Sequence, residues 1–156
     1  MDAPDVSRAE IVFAPLWRWS MPAARMTRMD TVKTHTVSAN GIRQQVHMGG
    51  PEDGQPVLLV HGNCSSAAFW QPLLRALPDD HRIIAPDLRG YGGTETAPVH
   101  ARRGLRDFAD DVLAVLDVVS PGVRPVVVGH SMGGGVAMQL TIERPGQVAA
   151  LVLESR

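Results

Sequence analysis

The chain holds a single cysteine, Cys64, in 156 residues. No internal disulfide can form, so nothing in the fold depends on an oxidising compartment and a cytoplasmic location is expected. An excess of either charge is also lacking, since 15 Lys and Arg stand against 16 Asp and Glu, with a net charge of −1. The signs are interspersed, leaving no basic stripe for nucleic acid and no polybasic anchor for a membrane surface. No stretch approaches the ~20 consecutive apolar residues of a membrane span. Near the amino terminus the apolar run Ile11–Trp17 is broken by Pro15, and the chain opens with Asp2 and Asp5 rather than with the basic start of a secretory signal. Residues 1–30 are therefore read as a flexible leader, and residues 31–156 as the structured part. No repeat or low-complexity tract occurs. A Gly-X-Gly-X-X-Gly turn after the first strand and a Gly-Lys-Ser/Thr loop are both missing, which argues against a phosphate-binding turn. The remaining lack concerns histidine: His35, His47, His61, His81, His100 and His130 all precede Ser131.

Ser131 carries the main chemical signal. The run Val126-Val127-Val128-Gly129-His130-Ser131-Met132-Gly133-Gly134-Gly135 delivers a serine from a β-branched strand into Gly-X-Ser-X-Gly and on into a helical pattern. That is the layout of a nucleophile elbow, in which the serine stands on a sharp, strained strand-to-helix turn. The turn leaves no space for side chains two residues before and two after the serine, and Gly129 and Gly133 meet that need. A helix beginning at Met132 would direct its unpaired amides and positive dipole end toward an oxyanion forming there.

The surrounding pattern alternates strands with helices. Residues 31–38 and 42–48 are strand-like and flank Asn40-Gly41, a hairpin signal. Val57-Leu58-Leu59-Val60 reads as a buried strand running into the turn-rich loop His61-Gly62-Asn63-Cys64-Ser65-Ser66. Ser65 or Ser66 can cap a helix reaching about Leu77, with Pro72 near its first turn. Residues 82–85 form a short strand before the glycine-rich turn of residues 87–94. Leu105, Phe108, Val112, Val115 and Val119 recur at helical spacing, and Asp107, Asp110, Asp111 and Asp117 are expected on a solvated opposite face. After the Val126 strand come a helix over Met132–Glu143, stopped by Pro145, and a sixth strand at Ala150–Leu153. The fold class is α/β, a mostly parallel sheet with helices on both faces.

On His61-Gly62-Asn63, Asp87-Leu88-Arg89-Gly90-Tyr91-Gly92 and Gly129-His130-Ser131-Met132-Gly133-Gly134, in that order, the chain resembles the α/β-hydrolase fold superfamily in its esterase, lactonase and haloperoxidase-like branch. The resemblance covers about residues 31–156. It implies Ser131 as nucleophile and the Asn63 and Met132 amides as oxyanion donors, with Cys64 the weaker donor candidate. It also implies that His61 and Asp87 are structural, Asp87 bracing the loop after the fourth strand. The family's acid after the seventh strand, its histidine after the eighth and its cap have no counterpart here, so the chain is expected to be the amino-terminal part of the fold, truncated after about the sixth strand. Haloalkane dehalogenases share a similar His-Gly-Asn loop but use aspartate where Ser131 stands.

The resulting expectation is a serine hydrolase of carboxylic ester, thioester or lactone type acting by acyl transfer on a small-molecule substrate, without metal or organic cofactor. The alternative is a catalytically inactive fragment or a partner-dependent binding subunit. His130 is expected to pack rather than act as base, Phe69 and Trp70 to line core or cleft, and Cys64 to be a small buried hydrophobe. The outer edge of the Ala150–Leu153 strand is expected to be unpaired and open to self-association.

Overall fold

The computed structural model describes residues 11–12 and 32–154. In chain order the elements are β1 (Ile11–Val12), β2 (Lys33–Ala39), β3 (Ile42–Gly49), β4 (Gln55–Val60), α1 (Gln71–Ala76), β5 (His81–Pro86), α2 (Arg106–Val119), β6 (Val126–His130), α3 (Met132–Glu143) and β7 (Ala150–Glu154). Among the described residues the strands form one sheet in the order β1-β7-β6-β4-β5-β3-β2. The hairpin β2–β3 and the pair β3–β5 are antiparallel. The pairs β4–β5, β4–β6, β6–β7 and β1–β7 are parallel. All six expected strands form, with ends shifted by a residue or two.

Local chemistry accounts for these elements. Asn40 (φ 51) and Gly41 (φ 76) both occupy the left-handed region, the pair of positive φ values a two-residue hairpin turn requires, and they set Ala39 opposite Ile42. The interior parallel strand β4 is apolar on both faces, and Val57, Leu58, Leu59 and Val60 are all buried. Leu58 and Val60 join Ile84, Val127 and Leu151 under α2 and α3, meeting Val112, Val115, Val136 and Leu140. Val57 and Leu59 join Ile83, Ala85 and Val128 on the other face, beneath Ala67, Trp70 and Leu74 of the segment that contains α1. That segment opens with a 3₁₀ turn at Ala67–Trp70, where Ser66 Oγ accepts the Ala68 N–H at 3.4 Å, and Pro72 sits in the first turn of α1, where its missing N–H costs no hydrogen bond.

Three expectations are corrected. On α2 the aspartates do not share one solvated face. Asp107 and Asp111 are buried, and Asp111 receives Arg89 Nε at 2.6 Å and Arg89 Nη2 at 2.7 Å. Cation partners arriving from loops outside the helix make this burial affordable, which helical periodicity cannot reveal. Cys64 is exposed rather than buried, because its loop stands out beyond the end of β4. The outer edge of β7 is paired at two positions, Ile11 with Leu151 and Val12 with Val152, since an open parallel edge offers donors and acceptors that another extended segment can satisfy. The rest of the expected leader lies outside the described residues.

Candidate active site

The site is assembled at the carboxyl ends of β4, β5 and β6. Ser131 follows β6 directly and has φ 52 and ψ −119, a strained conformation for a residue with a side chain, and it is the N-cap of α3. Its side chain makes no capping hydrogen bond, so the hydroxyl is not consumed by the helix it begins, and the residue is exposed. Its N–H donates to Glu154 O at 2.9 Å, which fastens the elbow to the end of β7.

The two flanking glycines are required by contact. A Cβ on Gly129 would lie 2.6 Å from Gly133 O and 2.7 Å from Gly134 Cα, so strand and helix touch through backbone alone. A Cβ on Gly133 would overlap the carbonyl oxygens of Val60 and His61, where α3 crosses the end of β4. The second crossing brings the loop after β4 next to the elbow. Asn63 and Met132, the two residues singled out with Ser131, thus stand on adjoining turns, with the Met132 N–H at the first position of α3 where no intrahelical acceptor exists.

The loop after β4 is held by the loop after β5. Asp87, buried, accepts the Ala67 N–H at 2.7 Å on Oδ1 and the Gly93 N–H at 2.9 Å on Oδ2. Gln45 Nε2 donates to the same Oδ2 at 3.2 Å. These bonds make Asp87 a brace between two loops. His61 is fully buried, and its Nε2 accepts the Leu88 N–H at 3.0 Å, which leaves the proton on Nδ1, donated to Gly62 O at 2.8 Å. Burial pushes this imidazole below its ordinary value, against the opposing pull of the Gly62 carbonyl and the Asp87 charge. A neutral ring with both nitrogens engaged has no lone pair to offer a serine.

His130 is held mainly by packing. Its ring stacks on Phe69 with centroids 4.4 Å apart and planes at 23°, and its Nε2 lies 3.8 Å from Glu154 Oε2. It packs, as adjacency to Ser131 across a sharp turn implies. Among the described residues no group of three or more His, Cys, Asp and Glu side chains is arranged to hold a metal ion.

One partner of the site escaped the sequence. Tyr91, on the loop after β5, donates its hydroxyl to Asn63 Oδ1 at 2.5 Å, and its ring meets His61 edge-on at 5.5 Å. Nothing in the spacing of residues 28 positions apart signals that pairing.

Comparison with known proteins agrees with this geometry. A family model described as alpha/beta hydrolase fold matches residues 55–156. The RutD protein of Variovorax paradoxus (strain S110), provisionally named a carbamate hydrolase, is 45% identical over 113 residues, covering 72% of this chain and 41% of that protein. The 2-hydroxymuconate semialdehyde hydrolase of Pseudomonas sp. (strain CF600) is 34% identical over 120 residues, covering 75% and 41% respectively. Among solved structures, the epoxide hydrolase VrEH1 of Vigna radiata superimposes with a TM-score of 0.70 at 30% identity, over 80% of this chain and 40% of that one. The chain thus spans about two fifths of the length of the relatives it matches. With the strand order, the elbow and the matched residues in agreement, the chain belongs to the alpha/beta hydrolase fold family.

Proposed function

We propose that this chain supplies the nucleophile and oxyanion donors of a serine hydrolase that acts by acyl transfer on a small carboxylic ester, thioester or lactone, in the cytoplasm. The observation that carries the reading is the positive φ of Ser131 at a strand-to-helix turn closed by glycine contacts on both sides. A serine is placed in such a conformation at a cost of ~1–3 kcal/mol, and exposure of its hydroxyl to an incoming carbonyl is the return. In the proposed reaction Ser131 Oγ forms a bond to the carbonyl carbon while its proton passes to a histidine. The oxyanion accepts the Asn63 and Met132 N–H groups, and the alcohol or thiol leaves with the proton. Water then cleaves the acyl-serine and frees the acid. Both nitrogens of His61 are engaged and the His130 ring is stacked on Phe69, so in this reading neither is the histidine that takes the proton.

This division of labour is tested by completing the fold. The isolated chain is expected to hydrolyse short p-nitrophenyl esters barely above background, since removing triad members costs several orders of magnitude and leaves only the contribution of oxyanion binding. A chimera carrying the cap and the last two strands of a close relative is expected to gain esterase activity that Ser131→Ala abolishes. A folded chimera with its histidine in place that stays inert would favour the second reading, an inactive or partner-dependent binding subunit. The engagement of both His61 nitrogens and the stacking of His130 on Phe69 are the observations on that side.

A further inference from the structure

We infer that Tyr91 is a positioning residue for the oxyanion loop, acting through the side chain of Asn63; the inference rests on the reading of Asn63 as an oxyanion donor. Asn63 Oδ1 accepts two donors. One is the N–H of the next residue, Cys64, at 3.0 Å, and the other is the Tyr91 hydroxyl at 2.5 Å. The first bond folds the carboxamide back over its own loop and occupies the Cys64 N–H, so of the two neighbouring amides it is the Asn63 N–H that stays available to a substrate oxygen. The same fold-back accompanies a left-handed Cys64 (φ 53), a conformation that a residue with a side chain adopts only when its surroundings hold it.

Asn63 by itself is poorly suited to hold it. The residue is exposed, and a lone carboxamide there would exchange its bond to Cys64 for bonds to water. Tyr91 is better anchored. Its N–H donates to Leu88 O at 2.9 Å, its carbonyl accepts the Thr94 N–H at 3.0 Å, and its ring lies edge-on against the fully buried His61. The hydroxyl is therefore a fixed donor projecting from a rigid turn, and it selects one orientation of the carboxamide. Two donors converging on one oxygen also settle which end of the amide is which, because the Cys64 N–H can only donate. Of the three ties between the two loops, those through Asp87 and His61 are buried and belong to the fold. The tie through Tyr91 is peripheral and can be removed without opening the core.

The test has two readouts, the first on the 156-residue chain. Amide hydrogen exchange resolved by residue is expected to quicken about tenfold at Cys64 in Tyr91→Phe, while the Leu88 and Ala67 amides keep their protection. Unchanged exchange at Cys64 would overturn the inference. In the second readout, acetylation of Ser131 by p-nitrophenyl acetate is followed by intact mass in the chimera that supplies the histidine, where Ser131 has a base. Tyr91→Phe and Asn63→Ala are each expected to slow it about tenfold, and the double variant to be no slower than Asn63→Ala alone. Multiplying effects in the double variant would show that Tyr91 does not act through Asn63. Acetylation that persists unchanged in Ser131→Ala would instead overturn the nucleophile reading, and the exchange experiment would still decide what Tyr91 holds.

Discussion

At the scale of single residues, His61 shows how a side chain with obvious catalytic potential is spent on architecture. Its two nitrogens tie the end of β4 to the Leu88 N–H and to Gly62 O, and the ring is fully buried. Burial is the main cause of its lowered pKa. The ordinary value is 6.5, so below that pH the unfolded chain takes up a proton that the folded chain refuses, and folding stability falls as pH falls. The carboxylates of Glu95, Asp107 and Glu143 are also held below their ordinary values, chiefly by hydrogen bonds from the Arg43 N–H, the His100 N–H and Gln139 respectively. Their contribution is present above the ordinary carboxylate range and is lost only at more acid pH. The two groups thus act in separate windows. Urea denaturation midpoints of the parent are expected to decline between about pH 7 and pH 5, and His61→Gln is expected to flatten that decline while leaving the loss below about pH 4 in place. An equally steep decline in the variant would remove His61 from the account.

At the scale of elements, α2 is held by more than its apolar stripe. Asp111, fully buried, is bonded by Arg89 through two nitrogens and by Asn40 Nδ2 at 2.7 Å, and its backbone carbonyl accepts Gln44 Nε2 at 3.3 Å. Arg89 also donates to Pro98 O at 2.6 Å. The Asp111 carboxylate therefore joins the hairpin turn and the loop after β5 to α2, and its backbone carbonyl adds β3. Asp111→Ala leaves a nearly buried guanidinium without its counter-charge and is expected to destabilise the fold by about 3–5 kcal/mol. Replacing both partners with apolar residues of similar volume, Arg89→Met with Asp111→Leu, is expected to recover most of that loss. Guanidinium denaturation of the single and double variants measures both. A double variant as unstable as the single one would mean that the hydrogen bonds to Asn40 and Pro98, not charge burial, dominate.

At the scale of the whole molecule, apolar side chains on α3 remain exposed among the described residues. The α3 sequence is apolar around most of its circumference, and although Val136, Ala137 and Leu140 are buried, Met138 and Ile142 remain 46% and 73% exposed. Helices of that character are normally enclosed on all sides. Along the neighbouring edge, among the described residues, β1 pairs with β7 at Leu151 and Val152. Backbone groups beside an apolar helix face form a template for association. Sedimentation velocity of the freshly purified chain over a concentration series is expected to show self-association that grows with concentration. A cooperatively unfolding monomer at every concentration would show that this surface needs no cover.

Much of this architecture was legible in the sequence because its signals are local. Asn40-Gly41 specifies a turn through the φ values those residues tolerate, the four apolar residues of β4 specify burial on both faces, and Gly129 and Gly133 mark the elbow because no Cβ fits where strand and helix touch. The end of α3 at Glu143 follows from Pro145. These features depend on the backbone and on the periodicity of a single segment. What only the tertiary structure decided is which polar groups meet. It selects Asp111 rather than Asp110 as the partner of Arg89, and it spends both nitrogens of His61 on the scaffold. It also leaves Cys64 exposed and brings the Tyr91 hydroxyl to Asn63. Such pairings join loops from distant parts of the chain, and the sheet order that brings those loops together is set by the packing of the whole core rather than by any segment within it.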